Sequence, residues 1–316
     1  MGLFFFLAIS TLMCVLMASL PGLTFLIAIF WGACLILCAL YVEKQKLLLV
    51  YIVNLGALYW LAGISTLFFY LSFFGIAAIV MSLLVTKGKE YYDLQKWGIA
   101  MVCLGVSVFL GIVYWSTGDI GINQMEIQIK EYMADSINYY EDNGLFEIYE
   151  NQGILQDDFE KSMYGFATTI AKHLPAIYYL QAILAVFFML LFASWVSLKR
   201  DIKRLKKRPY SQEIMPWQLV WIAIAGLLFW LIGREQMSLI YYAGSNILVI
   251  LVPITVYFGL AALIFRFKQQ KKGGAKLLTL LLVVIGVVFP LSAVIFLSLF
   301  GLFDALLDYR KLRIEE

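Results

Sequence analysis

The chain has 316 residues, 63% hydrophobic and only 14% charged, whereas soluble domains average roughly 45–50% apolar and about 25% charged residues. A mean hydropathy of +0.87 leaves more apolar surface than one water-surrounded core can hide, so lipid must cover the rest. The net charge of +3 averages strongly basic and strongly acidic segments and gives no support for nucleic-acid binding.

In chain order the apolar runs predict an all-α polytopic transmembrane helix bundle. A hydrocarbon core about 30 Å thick needs roughly 20 helical residues. Spans are therefore expected near 2–20, 22–42, 47–64, 66–86, 97–116, 174–198, 216–233, 243–265 and 276–301. The number falls to eight if 1–42 holds a re-entrant segment. The opening run MGLFFFLAISTLMCVLMASLPGL has the length of a signal peptide but no basic start, and a second apolar run follows at once, so a retained first helix is expected. Phe6 stands where N-myristoylation requires Ser or Thr. Pro21-Gly22 separates the first two spans, and Ser65-Thr66 is the expected turn between the third and fourth. The final apolar run, 277–303, would measure about 40 Å as one helix, so it must tilt, protrude or kink at Pro290.

Connector charge orients these spans. Lys44 and Lys46, then Lys87, Lys89 and Lys96, then seven cations within 199–208, then Arg266, Lys268, Lys271, Lys272 and Lys276 occupy alternate connectors. Lys and Arg stay in cytoplasmic loops, so this alternation predicts a cytoplasmic N-terminus and an extracytoplasmic 117–171. Nine spans would put the tail outside, although Arg310, Lys311 and Arg313 argue for the inside. The basic run 199–208 suits an anchor on anionic lipid or the docking of a cytoplasmic partner.

The segment 117–171 holds eleven of the 21 acidic residues against Lys130 and Lys161. Ile122, Met125, Ile129, Met133, Ile137 and Tyr140 recur at helical spacing; Phe159, Met163, Phe166 and Ile170 form a second stripe, with Gly144 and Gly153 between. Two amphipathic helices are predicted, acting as a structural cap or as a surface that docks a partner or gathers substrate. The implied organisation is membrane helices over 1–116, an extracytoplasmic acidic insertion over 117–173, and membrane helices over 174–316.

Polar groups inside a membrane are functional candidates, because burying them unpartnered costs several kcal/mol. Asn54, Gln181 and Asn246 are the neutral examples; Tyr51, Tyr59 and Tyr257 lie deep enough to line a cavity. Arg234 ends the seventh span beside Glu235, as a solvated turn or as an attractor of anionic substrate. Asp304 and Asp308 share a helix face with Arg310 nearby, an arrangement better suited to an interfacial capping cluster than to a metal site. Cys14, Cys34, Cys38 and Cys103 all lie in apolar runs and favour packing over redox or metal use. His173, the single histidine, has no evident nucleophile partner, and no HExxH, Walker loop, CxxC or GxSxG context is present. No enzymatic activity, cofactor or metal is expected.

The segments Met215-Pro216-Trp217-Gln-Leu-Val-Trp221, Gly244-Ser245-Asn246 and Gly301-Leu-Phe-Asp304-Ala-Leu-Leu-Asp308-Tyr309-Arg310-Lys311, with His173-Leu-Pro175, resemble the YybS-like family of bacterial membrane proteins over about 170–311. The family usually carries Trp between the last two acidic positions, where this chain has Leu306 and Leu307. The resemblance implies a multi-pass protein of the bacterial cytoplasmic membrane. It also implies a distant similarity to substrate-binding S components of energy-coupling-factor transporters, although the first helix lacks an Ala-x-x-x-Ala row. The expected function is a non-enzymatic transporter subunit with a small-molecule pocket involving Asn54, Tyr59, Arg234, Asn246 and Tyr257. The alternative is a scaffold or regulatory subunit that binds another protein through the acidic insertion or the basic connectors.

Overall fold

A computed structural model describes residues 2–143, 155–200, 202–235, 239–269 and 286–312, and all regular structure among them is helical. The helices are α1 (Leu3–Ser19), α2 (Thr24–Tyr41), α3 (Lys44–Tyr70), α4 (Ile76–Thr86), α5 (Tyr91–Thr117), α6 (Ile122–Asp142), α7 (Gln156–Lys172), α8 (Leu174–Leu198), α9 (Gln218–Gly233), α10 (Leu239–Gln269) and α11 (Pro290–Leu307). Six described stretches are long and apolar enough to cross a membrane: Pro21–Tyr41, Lys44–Thr86, Tyr91–Thr117, Leu174–Leu198, Leu239–Gln269 and Pro290–Leu307; α1 and α9 are shorter apolar helices. The predicted breaks at Gly144 and Gly153 and the start of the 276–301 span lie outside the described residues. The chain divides into two compact units, Met1–Lys207 and Arg208–Glu316.

In the first unit, α1 ends because Pro21 has no N–H to offer the carbonyl of Met17. Two hydroxyls replace that missing donor: Thr24 Oγ1 at 3.3 Å and Tyr70 Oη at 3.1 Å both donate to the Met17 carbonyl. A helix end inside an apolar core is thereby satisfied. The second turn departs from expectation. The chain reverses at Gly63, not at Ser65-Thr66, because φ 77°, ψ 174° at this position is a conformation essentially reserved for glycine. The limbs on either side fold back together, so that Tyr51 Oη stands 3.0 Å from where a Cβ on Gly75 would be. The 43 residues Lys44–Thr86 are thus a hairpin; a straight helix of that length would measure about 64 Å.

The returning limb carries a π-helical turn, Leu71–Gly75. Gly105 of α5 lies directly on the Ser72 carbonyl, an approach that any side chain would block. Gly32 and Gly98 similarly receive Met189 of α8 and Met81 of α4. Lipid supplies no hydrophobic drive between helices, so small residues that let them approach closely carry the packing. Phe69, Phe73, Phe109 and Tyr178 add an aromatic cluster, with ring centroids 4.3 Å apart for Phe69–Phe73 and 5.2 Å for Phe73–Tyr178.

The acidic segment does form two amphipathic helices. Gly118 (φ 74°) closes α5 in the left-handed conformation and Gly121 (φ 87°) opens α6. Helices α6 and α7 run antiparallel, held by Thr168 Oγ1 donating to Glu126 at 2.9 Å and by the Tyr140–Phe159 ring contact at 6.2 Å. Ile137, Ala167 and Ala171 are buried in this unit. Through His173 the chain passes straight into α8, which starts with Pro175 in its first turn.

In the second unit, α9 and α10 form an antiparallel hairpin whose backbones touch at Gly233 against Tyr241 and at Gly244 against Trp230. Helix α11 packs on α10 in parallel. Gly259 meets the Leu297 carbonyl, Gly301 meets the Thr255 carbonyl, and the Thr255 and Ser298 hydroxyls share a 2.7 Å hydrogen bond. Of the expected tilt, protrusion or kink at Pro290, the structure shows a break: Phe289 (φ −128°, ψ 66°) lies between helical residues 286–288 and the helix that Pro290 begins.

Candidate functional site

The richest polar cluster lies at one end of the second unit, where the C-terminal ends of α10 and α11 meet the loop 208–216. Arg310 is its centre and is buried. Its Nε and Nη2 donate to one oxygen of Asp304 at 3.0 and 2.7 Å; Nη1 donates to the Ser211 carbonyl at 2.7 Å, and Nη2 also to the Glu213 carbonyl at 2.6 Å. The guanidinium lies over the Phe265 ring, 5.9 Å from its centre. A guanidinium tolerates such burial because its planar fork fills several acceptors at once. Asp304 Oδ1 has no hydrogen-bond partner among the described residues.

Local sequence explains how Arg310 reaches back. Helix α11 ends at Asp308 in the left-handed conformation (φ 43°), with its N–H donating to the Asp304 carbonyl at 3.0 Å. The chain reverses there, and the Asp308 carboxylate accepts from the Leu312 N–H at 3.2 Å. The structure brings Asp304, Asp308 and Arg310 together, with Asp308 shaping the turn and Asp304 receiving the charge.

Sequence reasoning missed the other half of this cluster. Ser211 and buried Glu213 lie in the loop, 99 and 97 residues from Arg310. The only signal was an isolated carboxylate between Pro209 and Pro216 just after the basic run. Tyr257 Oη donates to Glu213 at 2.7 Å, and Tyr210 Oη donates to the Tyr257 carbonyl at 2.7 Å with the two rings 4.8 Å apart. Burial, followed by the nearby Glu213 carboxylate, pushes the Tyr210 hydroxyl up to about 12, so it stays a donor through the neutral range. Lys268 Nζ donates to Ser211 Oγ at 3.3 Å, and Arg266 donates to the Tyr309 carbonyl at 3.1 Å.

Asn54 is fully buried in the first unit, where its Oδ1 accepts from Ser10 Oγ at 3.2 Å and Thr11 Oγ1 at 3.1 Å, tying α3 to α1. Its amide nitrogen has no partner among the described residues. Tyr59 is 56% exposed on α3, beside Trp60 at 83%, and faces outward from the unit. Buried Tyr51 stacks on Trp31 at 6.1 Å. In the second unit, Asn246 is half-buried and its amide donates to the Tyr242 carbonyl one turn back, at 2.8 Å. Arg234 is exposed at the end of α9 and folds over Trp230, 5.5 Å from the ring centre. Within the second unit, Tyr257 joins the Arg310 cluster, Asn246 donates within α10 and Arg234 packs on the Trp230 ring of α9.

On the acidic hairpin, Lys130 bonds Glu126 at 2.6 Å and Thr168 completes the contact. The hydrogen bonds from Lys130 and then Thr168 hold the Glu126 carboxyl below the usual carboxylate range. His173, at the α7–α8 junction, has Nδ1 2.7 Å from the Thr169 carbonyl. Among the described residues no three His, Cys, Asp or Glu are placed to hold a metal ion.

These features are those of a helical membrane protein whose polar residues mostly join helices and loops. Neither a curated protein nor a solved structure matches the chain. A family model described as "Predicted membrane protein (DUF2232)" matches residues 8–305, and the chain belongs to this family.

Proposed function

We propose that the protein is a non-enzymatic, multi-pass subunit of the bacterial cytoplasmic membrane that binds a partner protein through its acidic helical hairpin. The observation that carries this reading is the outward face of α6. Ile127, Tyr132 and Tyr139 are all exposed there among the exposed carboxylates Glu131 and Asp135, and Phe166 is exposed on α7. Exposed tyrosines among charges suit a protein contact, in which the rings bury area at low entropic cost. Anionic headgroups would be repelled by the same surface. The internal bonding of Asn54 and Tyr257 and the outward setting of Tyr59 favour this reading over an S-component-like pocket. The charge alternation of the connectors supports a cytoplasmic N-terminus and an extracytoplasmic hairpin, and the resemblance to the YybS-like family supports the bacterial membrane.

Native mass spectrometry of the full chain extracted in mild detergent tests the proposal. The expected result is a stoichiometric protein partner that is lost in a Glu131→Lys, Asp135→Lys, Tyr132→Ser variant with unchanged thermal stability. A retained small molecule with no protein partner would overturn it in favour of the transporter-subunit reading.

A further inference from the structure

We propose that the end of the second unit around Arg310 is a binding surface for anionic phospholipid, with Arg266, Lys268 and Lys311 holding the lipid phosphate. Two observations carry it: burial has sorted the charges of this face by sign, and an exposed apolar surface reaches the same residues.

By sequence the face is mixed, with Glu213, Asp304 and Asp308 among Arg208, Arg266, Lys268, Arg310 and Lys311. Folding takes the carboxylates off its surface. Glu213 and Asp304 are buried, the first accepting from Tyr257 and the second from Arg310. Asp308 is half-buried and accepts from the Leu312 N–H. Of the cations only Arg310 is buried, whereas Arg208, Arg266, Lys268 and Lys311 stay exposed. Among the described residues the outer layer of this face therefore carries positive charge alone.

The buried cluster also brings these cations together. Lys268 and Arg310 both donate to Ser211, one to its hydroxyl and the other to its carbonyl. Arg266 donates to the carbonyl of Tyr309, and the Lys311 N–H donates to the Asp308 carbonyl at 2.8 Å, which turns the chain back. Each side-chain bond occupies only part of the donor set of a guanidinium or an ammonium. The exposed heads of Arg266 and Lys268 thus keep N–H groups for phosphate oxygens.

The apolar surroundings point to a lipid as the source of that phosphate. Phe303, Leu306 and Leu307 are exposed on the last turns of α11, directly before the reversal at Asp308. Met215 and Val220 pack with Ala305, which sets the start of α9 against the end of α11, and Trp217 and Trp221 are exposed there. Tryptophan and cations at the ends of apolar helices lie at the headgroup level, where anionic lipid attracts each cation. The proposal does not depend on what the acidic hairpin binds.

Photocrosslinking tests it, using the full chain in phosphatidylcholine nanodiscs and a phosphatidylglycerol analogue with a diazirine beside its headgroup. At subsaturating analogue, adducts are expected on peptides from 208–216, 263–269 and 303–312, competed by phosphatidylglycerol but not by phosphatidylcholine or inorganic phosphate. Lys311→Gln should lower their yield about fivefold, and Arg266→Gln, Lys268→Gln, Lys311→Gln together on the order of a hundredfold. Adducts on the basic run 199–207 should stay unchanged and so report an intact fold. If the triple variant loses those as well, Lys311→Gln alone decides, because its exposed side chain bonds nothing among the described residues. An unchanged yield in Lys311→Gln, equal labelling by a diazirine phosphatidylcholine, or competition by inorganic phosphate would each overturn the proposal.

Discussion

Arg310 and Asp304 are six residues apart, yet their 2.7 Å ion pair joins the end of α11 to a loop nearly a hundred residues earlier, through the same guanidinium. Both side chains are at most 5% exposed. Removing one partner strands the other without water. Asp304→Asn or Arg310→Met is expected to cost about 3–5 kcal/mol. Thermal unfolding in detergent measures this, and a double-mutant cycle separates the pair energy from the carbonyl contacts that only Arg310 makes.

Close backbone contact between α10 and α11 depends on glycine. A methyl group at Gly259 would overlap the Leu297 carbonyl, and one at Gly301 the Thr255 carbonyl. Either Gly→Ala change should destabilise by about 1–3 kcal/mol through forced separation of the helices. Gly56 is exposed with nothing within 4 Å of its added methyl. Gly56→Ala should instead be neutral or stabilising, so comparing the three melting temperatures checks the packing.

Asn54 ties α3 to α1 through two hydroxyl donors. Interhelical hydrogen bonds in membranes average about 0.6 kcal/mol and reach about 1.7. Asn54→Leu should therefore lower stability by no more than about 2 kcal/mol and leave the protein folded. A much larger loss, or loss of a copurifying small molecule, would show a role beyond joining helices.

The hairpin should loosen in acid. The Glu126 carboxyl is held below its ordinary value of 4.5, chiefly by Lys130 and Thr168. A group whose folded value is depressed contributes stability above the unfolded value and loses it as pH falls through the folded one. Hydrogen exchange at α6 and α7 should therefore accelerate below about pH 4.5, and Glu126→Gln should reduce that acid dependence.

Several features were legible because they depend only on near neighbours. The helix break at Pro21 follows from a missing N–H, and the stripe Ile122–Tyr140 follows from helical periodicity. Gly63 was less visible: Ser65-Thr66 resembles a turn by composition, whereas the actual reversal needs a positive φ that only glycine accepts cheaply. In the candidate site, Asp304, Asp308 and Arg310 stood out by local spacing. Ser211 and Glu213 did not, because no short-range pattern encodes a contact across some 97–99 residues.

The sequence by itself determined that this chain belongs in a bilayer, that its first helix breaks at Pro21-Gly22, and that its acidic segment is amphipathic. Those properties come from hydrophobicity, backbone chemistry and periodicity, all of which are local. Only the tertiary structure decided that α11 runs parallel to α10, that Arg310 is buried between a helix end and a distant loop, and that Asn54 and Tyr257 bond within the protein. Direction of packing and burial arise from surfaces that meet across long stretches of chain, so no window of sequence contains them.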